Sequence, residues 1–77
     1  ASGEEVDFVL ERGDRLLPVE VKSSRQVLPE DARHLRSFLE EYRRQTPFGI
    51  VLYGGTRTRA IADRILAVPL AKVLASA

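Results

Sequence analysis

The sequence contains no cysteine, and this absence excludes disulfide bonds and thiolate ligands for a metal ion. It also has no apolar run near the roughly 20 residues that a membrane-spanning helix needs. Residues 1–5 lack the basic and apolar regions of a signal peptide. Together these absences predict a cytoplasmic chain without a membrane segment.

The 77 residues have room for one domain with a small hydrophobic core. The formal net charge is only +1, but acids dominate up to Lys22 and arginines dominate after it. An acidic patch beside a basic remainder suits a metal-assisted site that acts on a phosphate polymer. On charge alone, the simpler interpretation is that these side chains solvate the outer faces of the domain.

Two alternating segments at the start of the chain predict a β-hairpin. Every second residue is apolar in residues 5–11, and a period-two pattern also runs through residues 15–23. Between them, Gly13-Asp14 has the chemistry of a two-residue hairpin loop. Pro18 has no N–H to donate, so that side of the residue should face an edge or a gap in the sheet.

A two-residue loop fixes the register of this hairpin. The apolar residues then pair on one face, as Val6 with Val21, Phe8 with Val19 and Leu10 with Leu17. On the other face, Asp7 is opposite Glu20, and Glu5 is opposite Lys22. Directly opposed carboxylates have Cβ atoms about 5 Å apart and repel each other. The register therefore predicts a cation between Asp7 and Glu20.

The chemistry of these side chains favours a hard divalent ion. Carboxylate oxygens match Mg²⁺ or Mn²⁺, and the chain has a single histidine to offer a softer metal. Lys22 lies on the same face as Glu20, where it could stabilise charge on a scissile phosphate or orient the attacking water. The alternative is a solvated hairpin face in which Glu5 and Lys22 form a surface ion pair and no metal binds.

Asp7 and the run Glu20-Val21-Lys22 resemble the PD-(D/E)xK motif of the restriction-endonuclease-like superfamily. More closely, residues 5–11, 18–23 and 49–53 are similar to the C-terminal domain of unknown function of bacterial and archaeal AAA-type ATPases. The resemblance implies that Asp7, Glu20 and the carbonyl of Val21 hold the metal and that Lys22 is the catalytic lysine. Many nucleases of this superfamily take a further acid from an upstream helix, so the resemblance also implies that the chain is a fragment of a larger ATPase.

The apolar residues after the hairpin recur at helical spacing, which predicts one long helix that begins near Pro29 and ends before Thr46-Pro47. Its apolar face comprises Ala32, Leu35, Phe38, Leu39 and Tyr42. We expect Leu35 and Phe38 to be buried against Val19 and Val21. His34 falls on the polar side and is interpreted as an ordinary surface histidine.

The apolar run of residues 48–53 predicts a central strand, parallel to a hairpin strand; the resemblance places it beside the strand with Glu20. Residues 60–68 predict a strand pair, and Pro69 begins a short helix. Gly54-Gly55-Thr56 lacks the spacing and the lysine of a phosphate loop, so no nucleotide-binding loop is predicted. Arg57 and Arg59 place positive charge there, either for a nucleic-acid contact or as a solvated tip.

These patterns and the resemblance predict an α/β fold with a restriction-endonuclease-like core in one domain over residues 1–77. Its mixed sheet has an N-terminal antiparallel hairpin, one long helix, a central strand and a terminal strand-helix element. The predicted function is a Mg²⁺- or Mn²⁺-dependent nuclease-like domain that acts on nucleic acid, attached to an AAA-type ATPase domain of the same parent chain. The alternative is a non-catalytic module of that ATPase that docks or forms homo-oligomers. A plain DNA-binding module would need the arginines to line one surface without any metal.

Overall fold

The computed structural model describes residues 6–76, which form a mixed five-stranded sheet and two α-helices. The elements in chain order are β1 (Phe8–Arg12), β2 (Arg15–Val21), a 3-10 helix (Pro29–Ala32), α1 (Arg33–Glu41), β3 (Gly49–Tyr53), β4 (Arg59–Ala62), β5 (Ile65–Pro69) and α2 (Leu70–Ser76). The strand order across the sheet is β1-β2-β3-β5-β4. The predicted α/β class is therefore confirmed. Neither helix within residues 6–76 has the length and apolar character needed to cross a membrane.

The loop between β1 and β2 has the predicted length of two residues, because Arg12 pairs with Arg15. Gly13 has a φ of 61°, in the left-handed region that a type II′ turn requires at its first central position and that glycine adopts without a steric penalty. The predicted pairing of Phe8 with Val19 is confirmed, and the whole of β1 follows the same register.

The hairpin ladder ends earlier than predicted. Since β1 begins at Phe8, the predicted pairs Val6–Val21 and Asp7–Glu20 are not part of the ladder. Val6 instead joins the hydrophobic core, whereas Val21 is 42% exposed. Val6 loses more contact with water in the core than it would beside the exposed Val21. The chain therefore leaves the strand before Phe8. Glu5, the predicted partner of Lys22, lies outside the described residues.

Helix α1 covers the sheet face that was predicted to be solvated. A Cβ built on Gly49 of β3 would lie 3.5 Å from both Leu35 of α1 and Pro18 of β2. Successive strand residues point to opposite faces of a sheet. Because Pro18 is under the helix, Glu20 is on the helix-covered face as well, and it is buried.

The expected contact of Leu35 and Phe38 with Val19 and Val21 is therefore wrong. The two helix residues belong to a core cluster that combines α1, the covered sheet face, the 3-10 helix and the segments beside β1 and β2. Its members are Val6, Val27, Ala32, Leu35, Phe38, Leu39, Val51, Tyr53, Ile65 and Ala67. Val19 and Val21 lie on the opposite face. The physical reason is that both faces of the hairpin carry apolar side chains, so either face could have accepted the helix.

The helix is shorter than predicted and has two parts. The 3-10 helix begins after Leu28, whose N–H donates to the Asp31 carboxylate at 2.9 Å. The α-helical part stops at Tyr42, whose ψ of 47° leaves the helical region. The turn that follows the helix is hydrogen-bonded to the sheet, because the carbonyl of Gln45 accepts the N–H of Leu16 in β2 at 2.8 Å. The end of the helix is thereby tied to the sheet.

The remaining elements follow the sequence pattern closely. Strand β3 runs parallel to β2, beside the segment that carries Glu20, and parallel to β5 on its other side. Strands β4 and β5 form the predicted terminal hairpin, with a bulge between Ala60 and Ala62. The predicted start of the last helix is off by one residue, because Pro69 ends β5 and α2 begins at Leu70.

The sheet face opposite α1 is apolar and partly open to solvent. Phe8 and Leu10 of β1 are 43% and 53% exposed on this face. Val21 lies on the same side, and the central strand contributes Ile50 and Leu52. We call these five residues the open sheet face.

Candidate metal centre

Asp7 lies one residue before β1 and contacts the end of β2. Its Oδ2 accepts a hydrogen bond from the backbone N–H of Val21 at 2.6 Å. An amide at this position would otherwise pair with a carbonyl of the neighbouring strand. The carboxylate therefore takes the place of a ladder acceptor, and Asp7 is held at the middle residue of the run Glu20-Val21-Lys22.

The Glu20 side chain is buried between β2 and α1, with 6% of its surface exposed. Its Oε1 lies 3.2 Å from Nδ1 of His34. Its Oε2 is buried and has no hydrogen-bond partner within residues 6–76. A buried polar atom in this state costs about 1–3 kcal/mol of stability.

Lys22 lies on the same sheet face as Glu20, because only Val21 stands between them and successive side chains of an extended chain point to opposite faces. Its backbone N–H donates to the carbonyl of Leu52 at 2.8 Å, which fixes the end of β2 against β3. The half-buried side chain lines a cleft of about 250 Å³ together with His34 and Asp31. Lys22 is thus beside the helix end that covers Glu20.

The residues at this site suit a hard divalent ion. Asp7, Glu20 and the carbonyl of Val21 would supply oxygen ligands only, the chemistry that Mg²⁺ and Mn²⁺ prefer. The described residues contain no group of three or more His, Cys, Asp or Glu side chains placed to hold a metal together. Mg²⁺ is commonly held by one or two carboxylates, and water and substrate phosphates complete its shell. An ion held by two carboxylates and one carbonyl would therefore take its remaining ligands from water and substrate.

A model of the family described as a domain of unknown function, DUF4143, matches residues 1–73. The chain belongs to this family. The DUF4143 match includes all five strands and α1. No curated protein and no solved structure matches the chain.

In this DUF4143 chain, the sequence pattern misplaced one residue of the site, His34. It was predicted to be an ordinary surface histidine, and its ring instead lies against Glu20 with 30% of the side chain exposed. The signal that could have found it is the packing of α1. Once Glu20 lies under the helix, it needs a polar neighbour from α1, and His34 directly precedes the buried Leu35.

Proposed function

We propose that this chain is a metal-dependent nuclease-like domain that hydrolyses phosphodiester bonds of nucleic acid. The observation that carries the proposal is the buried Glu20 carboxylate with one oxygen left without a hydrogen-bond partner in residues 6–76. Burial of a partly unpaired carboxylate opposes folding, so its presence favours a functional role. Asp7 and Lys22 adjoin the same strand segment.

The proposal assigns each residue a role that is consistent with its contacts. A bound divalent ion would lower the pKa of a water molecule and neutralise charge on the phosphate. The Val21 N–H orients the carboxylate of Asp7, and His34 engages one oxygen of Glu20, so Oε2 would be the oxygen that holds the ion. Lys22 supplies a positive charge on the Glu20 face, where it would stabilise charge that develops on the phosphate.

The proposal includes a parent protein with an AAA-type ATPase domain. Its support is the similarity of the hairpin and β3 sequences to the C-terminal domain of such ATPases. Residues 54–56, directly after β3, lack the lysine and spacing of a phosphate loop. ATP would therefore bind in the ATPase domain, and the present domain would contribute the nucleic-acid chemistry.

A cleavage assay tests the proposal. The chain is incubated with labelled single-stranded and double-stranded DNA and RNA, in Mg²⁺ or Mn²⁺ and in chelator. We expect cleavage only with metal, and we expect Lys22→Ala to abolish it. Lys72→Ala is the matched control, because Lys72 is the other lysine of the chain and is exposed on α2. Cleavage that persists in chelator, or that survives in Lys22→Ala, would contradict the proposed mechanism.

The second candidate function is a non-catalytic oligomerisation module, and the open sheet face favours it. The strand centres of this face carry apolar side chains, so a second copy of the chain could bury the same face against it in a two-fold dimer. Light scattering after gel filtration would detect the dimer, and Leu10→Glu should dissociate it. Leu74→Glu, at an exposed position on α2, is the control. A parent chain that is monomeric at high concentration would exclude this function.

A further inference from the structure

A second candidate site lies at the carboxyl ends of β2 and β3. The loops that follow these strands enclose an open cleft of about 530 Å³. Its lining includes Arg25, Arg57 and Arg59 and contains no acidic side chain. Within residues 6–76, none of these three arginines forms an ion pair. Among the described residues, no acid therefore pairs with the three positive charges of the cleft.

The two loops of the cleft are hydrogen-bonded to each other. The N–H of Gly54 donates to the carbonyl of Ser24 at 2.9 Å, and the Ser24 hydroxyl donates to the carbonyl of Gln26 at 2.7 Å. Arg59 donates from Nη2 to the carbonyl of Val27 at 2.9 Å. The loop that carries Arg25 is thus fixed relative to the segment that carries Arg59.

Tyr53 fixes the backbone at Arg57, the remaining arginine of the cleft. Its hydroxyl donates to the backbone carbonyl of Arg57 at 2.5 Å, so residues 54–57 close over the aromatic ring. Gly55 is required for this closure, because a Cβ at that position would lie 2.2 Å from Cε2 of Tyr53. The backbone of the cleft is therefore organised before any ligand binds, which lowers the entropic cost of binding.

We propose that this cleft binds phosphate groups in the backbone of a nucleic-acid strand. Guanidinium groups match phosphate oxygens in charge and in geometry. Ligands of open α/β sheets bind outside the carboxyl ends of the parallel strands, which is where this cleft lies. Lys22, at the end of β2, precedes Arg25 by three positions, so one strand of nucleic acid would meet the candidate metal centre and the cleft at the same sheet edge.

The contacts favour a polymer over a free nucleotide. Tyr53 is buried and offers no open aromatic face on which a base could stack. The N–H of Gly54 is bonded to Ser24, so it does not contribute to a cradle of free amides such as those that bind a nucleotide phosphate. Binding through arginine side chains to backbone phosphates is independent of base sequence. This inference rests on the proposed function, since it names the contact that would hold the substrate strand.

Fluorescence anisotropy with labelled double-stranded DNA in chelator, at about 0.1 M salt, tests the cleft without any cleavage. One phosphate contact contributes about 8-fold in affinity at this salt concentration through counterion release. We therefore expect about 8-fold weaker binding for Arg25→Gln and for Arg57→Gln, and about 60-fold for the double variant. The slope of log K against log salt should fall by about 1 for each arginine removed. Arg59 is left unchanged because it also bonds to Val27.

The matched control is Arg44→Gln, in the exposed turn after α1, which should change the affinity less than 2-fold. An equal loss in Arg44→Gln, or no binding by the parent chain, would overturn the cleft assignment. Competition by a mononucleotide as strong as that by an oligonucleotide of equal phosphate concentration would overturn the choice of a polymer.

The binding assay and the cleavage assay together separate the cleft proposal from the nuclease proposal. Binding that depends on Arg25 and Arg57 without metal-dependent cleavage would refute the nuclease proposal alone. Cleavage by the parent together with unchanged binding by both arginine variants would refute the cleft alone.

Discussion

Nδ1 of His34 lies 3.2 Å from Oε1 of Glu20, and this contact joins α1 to β2 beneath the helix. Only one oxygen of the carboxylate is engaged in this way, and the other is buried without a hydrogen-bond partner in residues 6–76. An ionised carboxylate offers about four lone-pair positions to donors or cations. The arrangement therefore leaves one buried carboxylate oxygen without a donor.

Glu20→Gln should test whether this acid is retained for function. The amide keeps the shape and can still accept a hydrogen bond from His34, but it removes a buried charge, which is costly in a protein interior. We expect Tm in chelator to equal or exceed that of the parent. In a domain of this size, each 1 kcal/mol changes Tm by about 4–8 °C. Glu11→Gln, exposed on β1, is the control. A clear fall in the Tm of Glu20→Gln would show that the carboxylate is structural.

Metal should stabilise the folded chain through Asp7. An ion that binds only the native state at 100 times its Kd adds about 2.7 kcal/mol to the free energy of unfolding. Asp7→Asn should remove this gain, since the amide is a weaker metal ligand, while its oxygen can still accept the Val21 N–H. Thermal melting with Mg²⁺, with Mn²⁺ and with chelator measures the effect. Asp14→Asn, in the exposed hairpin turn, should respond to metal as the parent does. Identical melting of the parent in all three conditions would contradict the metal centre.

Phe38→Ala should destabilise the domain by about 3–5 kcal/mol, because it removes a buried aromatic side chain and leaves a cavity. Phe38 is 4% exposed, and the centre of its ring lies 4.6 Å from that of Tyr42. Small domains have only about 5–15 kcal/mol of total stability, so the variant should be largely unfolded at physiological temperature. Urea unfolding followed by circular dichroism provides the measurement. Phe48→Ala, at a position 38% exposed, should cost far less; equal losses would place the core elsewhere.

Glu40 should titrate at lower pH than an ordinary glutamate. The hydrogen bond from Arg43, at 2.6 Å, lowers the pKa of the Glu40 carboxyl, and the charge of Arg43 lowers it further. A lowered folded-state pKa gives stability that is present above the unfolded pKa and is lost as pH falls through the folded value. Because both side chains are exposed, the effect on unfolding should be small. NMR titration should show the Glu40 pKa rising in Arg43→Gln and staying unchanged in Lys72→Gln.

The register of the first hairpin could be predicted because a two-residue loop allows one pairing of Phe8 with Val19. The length of the hairpin ladder could not be predicted. Continuing the ladder to Asp7 assumes that backbone groups satisfy the end of β2, whereas the Asp7 side chain accepts the Val21 N–H instead. Side chains that replace backbone acceptors leave no trace in the alternation of apolar residues.

The sheet face that packs against α1 could not be predicted from the sequence pattern either. In β2, the neighbours Leu16 and Leu17 are both apolar, as are Pro18 and Val19, so period-two alternation does not single out a buried face. Glu20 was consequently expected on the solvated side, and its contact with His34 was missed. The approach of Arg25 to Arg57 is likewise a product of the strand order, which no local pattern specifies.

The central position of β3 determines how this chain reaches its native state. Both neighbours of β3 are parallel and distant in sequence, since Ile50 pairs with Val19 and Gly49 pairs with Ile65. The two hairpins can form from local contacts within microseconds, whereas β3 must wait until both crossover loops have closed. Its docking converts two separate hairpins into one sheet. Neither half of the chain can complete the core alone, so we expect the amides of Val51 and Leu52 to exchange with solvent only when the whole domain opens.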